Sequence, residues 1–137
     1  MNNLKKGILD IDGVLIAPKC KFEEVVLNFD KDNLIITKLN DKTTVIQFSQ
    51  FPMIGSKKFA VDISFENGVL ESVSLIVDDP TIDEWDFWGA EFKHREWLLQ
   101  ELGESDGIKD EVRYDWGSVS AWRDPRSCTA GITILYK

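Results

Sequence analysis

Residues 57–66, KKFAVDISFE, alternate without a break. Phe59, Val61, Ile63 and Phe65 fall on one side, and Ala60, Asp62 and Ser64 on the other. A period of two marks a strand with one buried face. Asn67-Gly68 follows, a pair suited to the two positive-φ positions of a type I′ turn. VLESVSLIVDD then alternates again through Val69, Val73, Leu75 and Val77. The pattern predicts a β-hairpin. A second is predicted from NLIITKL and TTVIQFS, joined by NDK. A third is predicted from RYDWGSVSAW and CTAGITILYK around RDPRS, whose Asp-Pro favours a turn. In its last strand Cys128, Ala130, Ile132, Ile134 and Tyr136 share a face.

The period changes between residues 80 and 103. Trp85, Trp88, Phe92, Leu99 and Leu102 recur at three- and four-residue steps and form an apolar stripe, with Arg95 inside it and His94 and Trp97 outside it. Such spacing predicts an amphipathic helix. Thr81 with Glu84 three residues on reads as a capping box. Gly103 fits a C-terminal cap. Gly89 weakens the helix by up to about 1 kcal/mol relative to alanine, or marks where the firm helix starts near Ala90. A shorter helix is predicted in KFEEVVLNF, where Phe22, Val25, Val26 and Phe29 share a side. Strands, then a helix, then strands predict an α+β protein. The expected architecture is a single domain over residues 1–137, mainly an antiparallel sheet of hairpins with one main helix, residues 82–102, packed on it.

Composition adds few exclusions. The chain has 137 residues, 43% of them hydrophobic, with five Trp, so its composition suits a folded core. No apolar run reaches the roughly 20 residues of a membrane span. Asp10 and Asp12 interrupt the N-terminal apolar stretch, which argues against a secretory signal. The expected location is the cytoplasm. Cys20 and Cys128 are then expected as free thiols, with a disulfide between them left open by the sequence. One histidine and two cysteines make no zinc-ligand cluster, and no cofactor or metal is expected.

Charge changes the picture more. Formal net charge is −8, but residues 78–111 hold twelve acids and three bases and so carry −9, while the rest of the chain is near neutral. A one-sided field of this kind steers a basic partner and repels phosphates, which argues against nucleic acid as a ligand. The plain alternative is a solvated helix face.

Two resemblances bear on function. GILDIDGVLI, residues 7–16, resembles the first motif of the haloacid dehalogenase phosphotransferases. That resemblance implies a Mg²⁺-dependent phosphatase with Asp10 as nucleophile and Asp12 as acid/base. Thr37, Lys57 or Lys58, and the pair Asp78 and Asp79 stand where later motifs of that family would be sought. The connections oppose it. That family is doubly wound, and parallel neighbours need long crossovers, whereas an Asn-Gly hairpin lies between the lysines and the acidic pair. The simpler expectation for Asp10 and Asp12 is a strand with acidic outward positions.

The second resemblance lies in HREWLLQELG and YDWGSVSAWRDPRSCTAGITILYK. These stretches are similar to small bacterial proteins with a Trp-Leu helix end, a WG-x-V-x-S/A strand and a closing I-x-I-x-Y strand, some of which resemble immunity proteins of contact-dependent inhibition and other polymorphic toxin systems. The likeness covers residues 70–137. It implies a non-catalytic inhibitor that binds a toxin domain, and it carries over no catalytic residue. A basic protein is the expected partner, a nuclease-type toxin domain being the case the resemblance implies.

The candidate partner-binding residues are Asp78, Asp79, Asp86, Glu91, Trp97, Glu101, Glu104 and Asp106. Trp97, on the polar side of the predicted helix, is expected as an exposed aromatic beside acids, a common hot-spot setting. His94 is expected at the surface. Trp116-Gly117 is expected to form a bulge. Trp122, Arg123 and Arg126 near the last turn are candidates for binding an acidic group, and Phe51 and Met53 for an exposed loop. A small ligand-carrying domain with tryptophans around a pocket is a third reading.

Overall fold

The structure, a computed structural model, describes residues 2–79, 81 and 86–137. It opens with a small hairpin, β1 (Leu9–Ile11) and β2 (Val14–Ile16). Asp12 and Gly13 form its turn with φ of 49° and 88°, the two positive values a type I′ turn requires. GILDIDGVLI is therefore not one strand with acidic outward positions. It reverses direction at Asp12-Gly13. Helix α1 (Phe22–Asn28) follows.

The strands that build the sheet are β3 (Leu34–Lys38), β4 (Thr43–Phe48), β6 (Lys57–Glu66), β7 (Val69–Val77), β8 (Glu111–Tyr114), β9 (Gly117–Asp124) and β10 (Thr129–Tyr136); the short β5 (Met53–Ile54) pairs with the start of β6. Their spatial order is β3-β4-β6-β7-β10-β9-β8, and neighbours run antiparallel throughout. After β7 the chain leaves the sheet and forms α2 (Phe87–Gly107), which crosses above β10 with contacts to β7 and β9. It returns at the far edge as β8 and folds back until β10 fills the place beside β7. The α+β class and the three expected hairpins are present.

One face of this sheet is the core. Alternation puts Phe59, Val61, Ile63 and Phe65 inside, level with Ile46 and Phe48 on β4, Val73 and Leu75 on β7 and Ile132 and Ile134 on β10. Helix α1 and the β1–β2 hairpin cover one end: Phe22 meets Phe65 and Phe29 meets Phe48, both edge to face. Helix α2 covers the other, with Trp97 edge-on to Phe59 at 5.2 Å between centroids. The opposite face carries small hydroxyls, among them Ser64, Ser72, Ser74, Ser118, Ser120 and Thr133, which suits a surface in water.

Three details differ from the expectation. In β7 the buried residue near the start is Leu70, not Val69, which is exposed. The pairing jumps from Ser64↔Ser72 to Phe65↔Leu70, so Glu71 is an extra residue and the bulge reverses the alternation there. The stretch RYDWGSVSAW is two strands, not one with a bulge. Tyr114 pairs with Gly117, and Asp115-Trp116 forms the turn between β8 and β9. Trp116 donates to the Lys5 carbonyl at 2.8 Å and lies against Tyr114 and Tyr136. Finally, Asp86 caps α2, accepting from the Gly89 amide at 2.9 Å. Of the expected Thr81–Glu84 box, Thr81 donates its hydroxyl to Asp79 at 2.6 Å, while Glu84, like Trp85, lies outside the described residues.

Candidate functional site

The −9 segment is organised by α2. Gly103, with φ of 80°, breaks the helix after Leu102, where a cap was expected, and one more turn runs to Gly107. Arg95 holds that turn in place. Its guanidinium donates to the carbonyls of Gly107 and Lys109 and to the Asp110 carboxylate at 2.7–2.9 Å.

The helix presents its sides differently from the sequence expectation. Trp97 is fully buried and donates its indole N–H to the Ile54 carbonyl at 2.9 Å. Leu98, Leu102 and His94 are buried beside it. Trp97 is thus a core residue and offers no surface to a partner. His94 is likewise no surface histidine. Its Nδ1 faces the Ala90 carbonyl at 2.6 Å, and its Nε2 accepts from the Val77 amide at 2.9 Å. A carbonyl only accepts, so Nδ1 carries the proton and the ring is neutral. Burial pushes the imidazole below its ordinary value, and nearby Lys57 adds to the effect. Of the stripe expected to face the core, Leu102 does so, whereas Trp88 is 74% and Phe92 62% exposed. The helix has an apolar stripe on each side, with Trp97 turned inward and Trp88 and Phe92 outward.

The acids separate into two kinds. Asp79 pairs with Lys93, Glu91 with Arg123, Glu96 with Lys57, Asp106 with Lys109 and Asp110 with Arg95. Asp106 also accepts from the Tyr114 hydroxyl at 2.9 Å. Burial, together with that carboxylate, pushes Tyr114 up to about 12. Hydrogen bonds from the Thr81 hydroxyl and amide hold Asp79 below the usual carboxylate range, and Lys57 does the same for Glu96. These groups serve the fold. Arg123, a candidate for binding an acidic group, meets that group within the chain, as Glu91 at 2.6 Å. Asp78, Asp86, Glu101 and Glu104 have no ion-pair partner among the described residues.

Two concavities hold three of these four acids, Glu104 lying in neither. Near the start of α2, a hollow of about 250 Å³ is lined by Asp78, Asp79, Asp86, His94, Cys128 and Ile76, among others. Three expected partner-binding acids thus converge at one place. Near the other end, a hollow of about 480 Å³ is lined by Asn2, Asp10, Asp12, Met53, Gly55 and Glu101. Met53 is exposed there, on β5 rather than in the expected loop, and Phe51 is exposed just before that strand. Cys20 and Cys128 are free thiols. Among the described residues no cluster of His, Cys, Asp and Glu has metal-binding geometry, and no helix is long and apolar enough to cross a membrane.

The acids of the DIDGV motif have structural work. Asp10 Oδ1 accepts from the Gly13 amide at 2.7 Å and closes the turn, and Asp12 Oδ1 accepts from Met53 at 3.2 Å. Residues 57–77 form an antiparallel hairpin. The doubly wound sheet that the phosphotransferase reading needs is not this sheet.

No family model and no curated protein matches the chain. Among solved structures it is similar in fold to a chain of "Rhs1-CT in complex with cognate immunity protein RhsI1", with a TM-score of 0.50 and 13% sequence identity, over 100% of this chain and 86% of that one. At that identity the likeness is one of fold. The fold likeness spans the whole of this chain, residues 70–137 included.

Proposed function

We propose that the chain is a non-catalytic protein-binding module, an immunity-type inhibitor that binds a basic toxin domain and masks its working surface. The observation that carries this reading is the whole-length fold likeness to a chain of the Rhs1-CT complex with its cognate immunity protein. The charge pattern supports it. A toxin domain that attacks nucleic acid needs cations to hold phosphate, and an acidic surface accelerates capture of such a domain. On this reading Asp78 and Glu104, with Asp86 and Glu101, face the partner, and the inhibitor acts in the bacterial cytoplasm where the toxin arrives.

The test is retention from the native host's lysate on the tagged chain, at low and high salt. The expected result is one basic protein held in stoichiometric amount, loosened by salt, and identified by mass spectrometry. Retention of nothing specific, or of acidic proteins alone, contradicts the reading.

A further inference from the structure

The two edges of the main sheet are finished differently. At one edge β8 carries Glu111 and Arg113, which pair with each other; charges on an edge strand discourage further pairing. At the other edge β3 has no charge from Leu34 to Thr37 and only Lys38 at its end. Ile35 and Ile36 are 45% and 48% exposed, and Leu39 just beyond is 62% exposed. Leu34 and Ile36 stand opposite Phe48 and Ile46, both buried, so they lie on the core side of the sheet. Leu34 packs against the core, and the layer stops at Ile36, half in water. The backbone is open there as well. The Ser49 amide donates to the Asn33 carbonyl and the Leu39 amide to the Thr43 carbonyl. Hydrogen-bonded pairs alternate along an antiparallel ladder. Ile35 and Thr37 therefore bond to β4, while Ile36 and Lys38 turn their N–H and C=O groups the other way. The Leu34 amide is taken by the Lys31 carbonyl, and its own carbonyl points outward too. β3 ends the strand order, and among the described residues no strand lies on that side.

We propose that β3 pairs with the β3 of a second copy of this chain, antiparallel about a two-fold axis at Ile36, so that the two sheets join into one. The outward groups fit that register. Ile36 faces Ile36 of the second copy with about 5.5 Å between Cα atoms, and the two exchange both hydrogen bonds. Each Lys38 amide meets the Leu34 carbonyl of the other copy. Leu34 and Ile36 of both copies then share one side, and the core layer continues across the axis. Charge selects the same occupant. Asp30, Lys31 and Asp32 precede the strand with a net −1, and Lys38, Asp41 and Lys42 end or follow it with a net +1. Antiparallel pairing lays each end beside the oppositely charged end of the second copy. The edge as a whole is neutral, so it does not favour a basic or an acidic partner. The −9 segment does not interfere. Helix α2 crosses above β10, and β4, β6 and β7 stand between β10 and β3, a separation of about 19 Å at the usual strand spacing. The two helices are then about 40 Å apart across the axis, several screening lengths of roughly 8 Å at physiological salt. A two-fold contact of this kind closes on itself and adds no third copy. It leaves α2 free in both copies and does not rest on the inhibitor reading.

The experiment follows the purified full chain from micromolar to millimolar concentration, with sedimentation equilibrium for its mass and amide hydrogen exchange by NMR for the position of the contact. The expected result is a monomer–dimer equilibrium within that range, since a contact built on one strand edge is small. The Ile36 and Lys38 amides should exchange freely in dilute solution and become protected as dimer forms. The Ile35 and Thr37 amides, bonded within the chain, should be protected throughout. Ile36→Pro removes only an outward N–H, which an edge strand tolerates. It should weaken association at least about tenfold and leave the melting temperature in dilute solution unchanged. If that variant does not fold, Ile36→Lys, which sets two cations face to face on the axis, should weaken association as much. A chain that stays monomeric to millimolar concentration overturns the proposal. So does a dimer in which the Ile36 and Lys38 amides still exchange freely, or one that a folded Ile36→Pro or Ile36→Lys variant forms as well as the parent. Protection of those two amides only when a different polypeptide is added also overturns it and gives the edge to that polypeptide.

Discussion

Two tryptophans nine residues apart on α2 have opposite surroundings. Trp97 is sealed between the helix and Phe59, with its N–H on the Ile54 carbonyl, and Trp88 is three-quarters exposed beside the acidic start of the helix. The difference teaches that apolar character along a helix does not by itself identify the core-facing side. One stripe closes the protein over its sheet. The other, with Trp88 and Phe92, is largely exposed.

The largest effect expected from breaking this comparison is on the inner side. Trp97→Ala should cost about 3–5 kcal/mol of stability through lost packing, a cavity and an orphaned carbonyl, measured by urea denaturation. Next comes charge. Asp78→Lys with Glu104→Lys touches acids that hold no ion pair among the described residues, so folding should survive. Association with a basic partner should slow about tenfold at low salt and much less at high salt, read by stopped-flow fluorescence. Asp86 is a less clean probe. Its carboxylate caps α2, and Asp86→Ala should cost about 1 kcal/mol of stability before any partner is present.

His94 gives a smaller, pH-dependent effect. Its folded value lies below its ordinary one near 6.5, so the unfolded chain takes up the proton first. Its contribution to stability is therefore full above about pH 6.5 and is lost as pH falls through that value toward the folded one. In His94→Gln the acid-side fall in melting temperature should be shallower. The smallest effect is on the outer side: Trp88→Ala should change stability by no more than about 0.5 kcal/mol. A large loss there would show that Trp88 belongs to the fold and would collapse the distinction between the two sides.

Much of the sheet was legible in the sequence because β-strands declare their faces by a period of two. The Asn67-Gly68 hairpin, the inward face of β6 and the shared face of Ala130, Ile132, Ile134 and Tyr136 all follow from it. Where the reading failed, a local event broke the period or gave no signal. The extra residue Glu71 moves the buried position from Val69 to Leu70. Asp115-Trp116 has a bulky aromatic where a tight hairpin turn favours glycine, so β8 and β9 read as one strand. Asp12-Gly13 does have them, but the motif likeness of DIDGV concealed a hairpin of two three-residue strands. On α2 the period of 3.6 was visible but ambiguous. Trp88 and Phe92 outweigh His94, Trp97 and Leu98 in any helical wheel, and only the tertiary contacts decide which side is covered. The acids were legible as a block. Their division into structural ion pairs and open carboxylates depended on partners distant in sequence, such as Lys57 and Arg123.

The central claim is that the chain protects a cell by binding a basic toxin domain. It is tested most directly by growth of host cells that express the captured basic partner, with and without this chain. The account predicts arrest in its absence and restored growth when the chain is supplied. Equal growth in both cultures would contradict it.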